Sequence, residues 1–494
     1  MSRELRHPNT HLLVRRPSFV RRVSALPIGG AIAALYLMAC DGERLTGIKA
    51  GNKEQSASAS SVATIRRPHE ARSLELGRQI PGFGGFYYDS DGNMHVVLRD
   101  LSRSTEAIAA LKPILNARDP RHSAHPIARP EVIVHQGQFE FAQLAAWRDH
   151  VSQVVHAIPG VAFVDLDQTI NRIKIGMADL TAAAAAEKAI TAAGVPLEAT
   201  SIILHAPFRP GRHKTRGPSI MTGRTGMFTD DSITLNHRPT RGGLKISRVS
   251  GPGTQEACTL GFNAWADDGS AVFVTNSHCM NEMGGTRDTY LYQANTYNSL
   301  DYVGLEYRDP NWLDYTADPN CPQNPFPQYP KCRYSDAALV KYDDQSSNTV
   351  WIGRIAKTSY YGTGWGNAGS LIVDASAPVW TITDVGQFPA VGDVLHKVGE
   401  RTGWTYGTVS EDCVDATEFD LGTYFWLYCQ DIISGAYFNE GDSGSPVFWV
   451  PSSPPGTTNV SLYGVAWGFN TTYGETMFSA YSNIQYDLGV LTAF

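Results

Sequence analysis

The stretch Gly441-Asp442-Ser443-Gly444-Ser445-Pro446, followed by Val447-Phe448-Trp449-Val450, decides how this chain is read. It sets a serine between glycines at a tight turn, directly ahead of an apolar strand. A nucleophilic serine needs such a turn, because its hydroxyl must project into a cleft and nearby backbone N–H groups must stay free for an oxyanion. Glycines let the backbones of protein and substrate approach closely. The same hexapeptide would also serve as a plain turn before a strand, so two upstream segments decide between the readings. Val272-Phe273-Val274-Thr275-Asn276-Ser277-His278-Cys279 is an apolar strand ending in a histidine and a cysteine. Tyr334-Ser335-Asp336-Ala337-Ala338-Leu339-Val340 places an aspartate at the head of another.

The order along the chain is therefore His, Asp, Ser. Beyond residue 241 there are two histidines, His278 and His396, and none follows Ser443. The α/β-hydrolase order, with the histidine last, is excluded for Ser443, and position 445 is Ser where a nucleophile elbow has Gly. This argues against a lipase or esterase. His396 lies inside Asp393-Val394-Leu395-His396-Lys397-Val398-Gly399, which reads as a strand with a packed histidine. His278 is the candidate base.

Residues 241–494 resemble the chymotrypsin-fold serine proteases of bacteria, of the α-lytic-protease or streptogrisin kind. The resemblance rests on Thr275-Asn276-Ser277-His278-Cys279, on Ser335-Asp336-Ala337-Ala338-Leu339-Val340 and on the serine turn. Gly399-Glu400-Arg401-Thr402-Gly403, Tyr406-Gly407-Thr408-Val409 and Val465-Ala466-Trp467-Gly468 add to it. It implies two antiparallel six-stranded β-barrels, an all-β fold, with Ser443 as nucleophile, His278 as general base and Asp336 as its orienting partner. It also implies an oxyanion hole from the N–H groups of Gly441 and Ser443, and a substrate pocket at Tyr437, Ala466, Trp467 and Gly468. In this family the aspartate before the serine is buried and needs a cation. Lys397 falls at the matching place for Asp442, with Arg401 as second candidate. Position 445 departs from the Gly of many members.

Seven cysteines are present, six of them in the protease half. Six cysteines allow fifteen connectivities. The resemblance favours Cys258–Cys279, and proximity then suggests Cys321–Cys332 and Cys413–Cys429. Metal binding is a weak alternative, since no Cys-x-x-Cys pair exists, and no metal or cofactor is expected. Disulfides imply an oxidising compartment. The seventh, Cys40, closes Leu37-Met38-Ala39-Cys40 after an arginine-rich start and an apolar run. Residues 1–39 read as a signal peptide with a lipobox, which makes Cys40 a candidate lipidation site and the membrane a partner through that anchor. Full secretion after cleavage elsewhere is the alternative, so the chain is expected in the cell envelope or outside the cell.

Residues 40–79 read as a flexible tether. Residues 80–205 read as a small α/β domain, similar in position to a pro-region, with a hairpin at Phe86–Leu98, a strand over Asn171–Ile175 and a helix from Leu180 to Ala193. The acidic turn Asp89–Asn93 lacks the glycine placement of a calcium loop and is taken as a plain turn. Residues 206–240, with Pro, Gly and six basic side chains, read as an exposed connector and a processing zone. Residues 1–240 carry 29 Lys/Arg against 21 Asp/Glu, and residues 241–494 carry 12 against 27, so the halves stand at +8 and −15. Opposite signs favour docking of the first half on the second, as an intramolecular chaperone or inhibitor. The basic residues lack the aromatic interleaving of a nucleic-acid site. Residues 402–494 hold no Lys, Arg or His and position 437 is Tyr, which disfavours glutamyl and trypsin-like specificity and suggests an apolar or aromatic preference. The expected function is an exported serine endopeptidase, a hydrolase acting on protein or peptide substrates. The alternative is a non-catalytic surface lipoprotein that uses the fold for binding.

Overall fold

Short runs of β-branched and aromatic residues, punctuated by glycine turns, make the C-terminal half pair into antiparallel sheets. The structure is a computed structural model describing residues 67–216, 231–293, 295, 301–313, 321, 331–386, 388–420, 423–451 and 457–494, and it is mostly β. Cys40, the candidate signal segment 1–39, most of the expected tether and residues 217–230 of the connector lie outside the described residues.

One sheet carries the histidine and the aspartate. Strand Ala271–Thr275 pairs antiparallel with Ala338–Tyr342, in a register that sets Thr275 opposite Ala338. His278 follows in the short turn Ser277–Cys279, and Asp336 stands just before its strand, so this pairing alone brings them side by side. The second sheet carries the serine. The turn at Ser443 leads into Pro446–Trp449, which lies between Val394–Gly399 and Asn459–Asn470. A shared core that includes Phe262, Val274 and Leu339 from the first sheet and Val398, Phe448 and Val465 from the second locks the two together.

Residues 67–204 form helices and strands of their own. Phe83–Tyr88 and Met94–Leu98 make the expected hairpin, and Val132–Gln136 adds to it in parallel. Val161–Asp167, Arg172–Met177 and Thr200–Leu204 form a second group, with helix Ala183–Ala192 entered through the Asp179 side chain, which accepts the Thr181 N–H. The tether ends sooner than the sequence suggested. Ala71–Gln79 is a helix with Leu76 buried, and Arg67 is buried against Asp415 at 2.5 Å and Asp149 at 3.2 Å. Polar composition hid this, because what holds the segment down is ion pairing to residues far away in sequence. Among the described residues no helix is long and apolar enough to cross a membrane.

The halves share a sheet. Val161–Asp167 pairs with the long strand Gly403–Asp420, placing Val164 opposite Asp415 and Phe163 opposite Ala416. The described residues accordingly pack as one compact unit. Three carboxylates, Asp165, Asp167 and Glu411, surround Lys174 at this junction. Burial, reinforced by the neighbouring carboxylates, raises the Glu411 and Asp412 carboxyls well above their ordinary values. A carboxyl so raised favours the packed state fully below its ordinary value and loses that contribution as pH climbs through the raised value. Replacing both groups with Glu411→Gln and Asp412→Asn should therefore shift stability relative to wild type in the variant's favour as pH rises above the ordinary carboxylate range. The gain is about 1.4 kcal/mol for each pH unit over which one proton's uptake differs. Denaturation midpoints of both proteins over that rise in pH test it, and a constant difference would refute it.

Candidate active site

The serine turn is built around a buried ion pair. Lys397 Nζ lies 3.2 Å from Asp442 Oδ2, and both side chains are fully buried. Thr402 joins them, its hydroxyl accepting from Lys397 at 2.7 Å and donating to Asp442 at 2.6 Å. The N–H groups of Arg401, Thr402 and Asn439 also donate to the Asp442 carboxylate, each at 3.0 Å. Burial pulls the Lys397 ammonium below its ordinary value against the opposing pull of Asp442. Arg401, the second candidate, contributes its backbone rather than its charge. Ser445 Oγ donates to the Asp442 carbonyl at 2.5 Å and closes the turn, so serine there fits the fold.

At the tip of this turn Ser443 Oγ lies 2.7 Å from His278 Nε2. His278 Nδ1 is hydrogen-bonded to Asp336 Oδ2, and the His278 backbone N–H reaches Asp336 Oδ1 at 3.1 Å. Burial alone would lift the Asp336 carboxyl, but the electrostatic pull of the His278 imidazole, its hydrogen bonds and the Arg333 charge hold it below the ordinary value. His396 stays apart. It packs beside Trp404, Tyr406 and Phe448, accepts from Trp404 Nε1 at 3.1 Å, and is pushed down to about 3 by burial.

Supporting residues that sequence reading did not single out hold these groups in place. Asn276 donates to the Asp336 carbonyl at 2.7 Å. The Asp336 N–H donates to Ser479 Oγ, which donates to Gln430 Oε1, and Trp467 Nε1 donates to the same oxygen. Gln430 thus joins the aspartate to the strand beside the serine. Arg333 is buried against Asp309 at 2.7 Å and donates to the Ala337 carbonyl. Thr259 fixes the peptide before the serine, donating to the Gly441 carbonyl at 2.9 Å. Gly444, at φ +91°, lies against Thr259 and admits no side chain. Isolated polar residues spread over 200 positions leave no local motif to recognise.

All three of His278, Asp336 and Ser443 have 0% exposure, and the connector is part of the cover. Arg209–Pro210 pairs antiparallel with Phe469 and Gly468, and His213–Arg216 pairs with the strand Thr254–Thr259, setting His213 opposite Ala257. Gly211 lies between. Its carbonyl accepts the Gly441 N–H at 2.8 Å, and its N–H donates to Ser443 Oγ at 3.1 Å and to the Trp467 carbonyl at 3.4 Å. Of the expected pocket residues, Trp467 and Gly468 touch this strand, and Ala466 pairs with Gly444 and Ser445. The Tyr437 ring is turned onto Trp365, and its neighbour Phe438 is the side chain that faces Gly211.

The disulfides are Cys258–Cys279, Cys321–Cys332 and Cys413–Cys429. The first ties the His278 turn to strand Thr254–Thr259. Among the described residues three clusters carry metal-type ligands. In two the sulfurs are consumed in disulfides, and in the third Lys174 occupies the centre.

No protein-family model matches the chain, and no curated protein matches it. Among solved structures, it is similar to a Nocardiopsis protease at 19% identity and a TM-score of 0.32, over 51% of this chain and 97% of that one. It is similar to a glutamic-acid-specific serine protease at 20% identity and a TM-score of 0.31, over 52% of this chain and 100% of that one. A chymotrypsin of Cellulomonas bogoriensis follows at 17% identity and a TM-score of 0.29, over 51% and 97%. TM-scores this low leave the functional reading to the site's own geometry.

Removing one partner of a buried pair strands the other charge, at a cost of about 3–5 kcal/mol. Lys397→Met should therefore destabilise the protein by about 3 kcal/mol, the low end, because four other hydrogen bonds to Asp442 survive. Chemical denaturation checks this, and a change within 0.5 kcal/mol, about the size of an ordinary surface substitution, would show the pair to be dispensable.

Proposed function

We propose that this chain is an exported serine endopeptidase kept latent by its own connector. The observation that carries the reading is the line of Asp336, His278 and Ser443 beneath a peptide carbonyl that receives the Gly441 N–H. In this reading Ser443 Oγ attacks a carbonyl carbon while His278 Nε2 takes the hydroxyl proton, then gives it to the departing amine. Asp336 fixes the imidazole tautomer and stabilises the imidazolium. The N–H groups of Gly441 and Ser443 hold the oxyanion, each donor worth about 3 kcal/mol. Water then releases the acyl group.

Residues 241–494 form the two barrels of this enzyme, and residues 80–205 act as a pro-like domain, an intramolecular chaperone or inhibitor. The shared sheet and the burial of Ser443 beneath the connector support that role. The disulfides support export, which the segment 1–39 directs and a lipid at Cys40 converts to anchoring in the cell envelope.

A fluorophosphonate probe tests the reading. The uncut protein should label slowly, and the protein freed of its N-terminal half rapidly. Ser443→Ala and His278→Ala should abolish labelling, and Asp336→Asn should lower peptide turnover by on the order of 10⁴. Folded protein that takes no label even after limited proteolysis in the connector would end the proposal.

A further inference from the structure

The strand in the cleft also indicates what the site accepts, an inference that rests on the peptidase reading. Gly211 is the residue whose carbonyl lies on the Gly441 N–H, so Gly211–Arg212 is the bond presented to Ser443. A side chain on that residue would have nowhere to go. A Cβ built on Gly211 would lie 2.6 Å from the Phe438 ring and 2.8 Å from Ser443 Oγ. The ring is not free to yield. Phe438 is 1% exposed, stacks on Phe469 at 5.4 Å, and packs in one cluster with Leu395, Val409 and Ala436. The Lys397 ammonium, itself held by Asp442, stands 5.6 Å from its centroid.

The flanks, by contrast, are built to be filled. Phe208 is fully buried in a cluster with Trp467 and Met477. Beyond the bond, His213 Nδ1 lies 3.4 Å from Glu400 and Lys214 Nζ lies 3.3 Å from Glu256. The site thus anchors an aromatic side chain three residues before the acyl residue and a histidine two residues after it, with Lys214 paired to Glu256 at the surface. It leaves the acyl residue itself no room beyond hydrogen.

We propose that this peptidase is glycine-directed, with Phe438 as its specificity-determining residue, and that Gly211–Arg212 is its first substrate. Ser443 Oγ bonds to the Gly211 carbonyl carbon, its proton passing to His278. The bond to the Arg212 nitrogen breaks as that nitrogen takes the proton. Water then hydrolyses the ester, leaving a carboxylate at Gly211 and an amine at Arg212. The apolar or aromatic preference expected from composition presumed an open pocket, and Phe438 closes it.

The full-length protein, allowed to mature and analysed by N-terminal sequencing and intact mass, should give a chain beginning at Arg212, and Gly211→Leu should block that cut. The matured enzyme is then assayed on Phe-Arg-Pro-Xaa-Arg-His peptides with Xaa as Gly, Ala, Leu or Phe. From Gly to Leu, kcat/KM should fall by on the order of 10²-fold, and Phe438→Ala should erase or reverse the fall. Fluorophosphonate labelling confirms that each variant is folded and active, and the wild-type peptide series decides the question even where Phe438→Ala does not fold. Labelled enzyme that cuts the Leu or Phe peptide as well as the Gly peptide overturns the glycine assignment and leaves the peptidase reading standing. Labelled enzyme that matures by cutting another bond overturns the first-substrate assignment. Absence of labelling overturns the peptidase reading and this inference together.

Discussion

The buried contact between Asp442 and Lys397 governs the working end of the molecule. A carboxylate in that position is costly unless charge and hydrogen bonds surround it. The surroundings that satisfy it are the backbone of Arg401 and Thr402, the Thr402 hydroxyl and the Asn439 N–H. Meeting those bonds fixes the path from 439 to 443. That path turns the Gly441 N–H outward and brings Ser443 Oγ beside His278. The same lysine also stands above the Phe438 ring. One ion pair therefore couples the shape of the serine turn to the shape of the space beneath it.

Much of the site was legible because its chemistry sits at strand ends. His278 and Asp336 each adjoin an apolar run, and strand pairing in a register such as Thr275 with Ala338 places neighbours in space. The serine turn advertises itself through glycines that backbone geometry demands, Gly444 above all. The Lys397 partner and the Cys258–Cys279 pair were reachable through resemblance to a known pattern, and the other two cysteine pairs through proximity in sequence. The hairpin and helix of the N-terminal half followed from periodicity and a capping aspartate.

What the sequence withheld depends on long-range packing. Gln430, Thr259 and Asn276 look like ordinary strand residues until the sheets bring their partners near. Tyr437 and Phe438 are adjacent aromatics, and which one faces the cleft depends on a backbone direction set by the Asp442 network. The helix at Ala71–Gln79 is short and polar, and its place is set by Arg67 finding Asp415 and Asp149. Nor does composition reveal that the connector, basic and proline-rich, lies as a strand across the serine, because its pairing partners are more than 250 residues away on one side.

The positions of the cysteines give the latent state a second property. All six paired cysteines lie beyond Gly211, so no described disulfide spans the two sides of the Gly211–Arg212 bond. While that bond is whole, the cover and the site belong to one molecule, and their contact is insensitive to concentration. Once it is broken, only noncovalent contacts join them, among them the shared sheet, the Arg67–Asp415 pair and the carboxylates around Lys174, and the contact becomes an equilibrium between two molecules. In the proposed latent reading, dilution, which does nothing to the intact chain, then favours the open site.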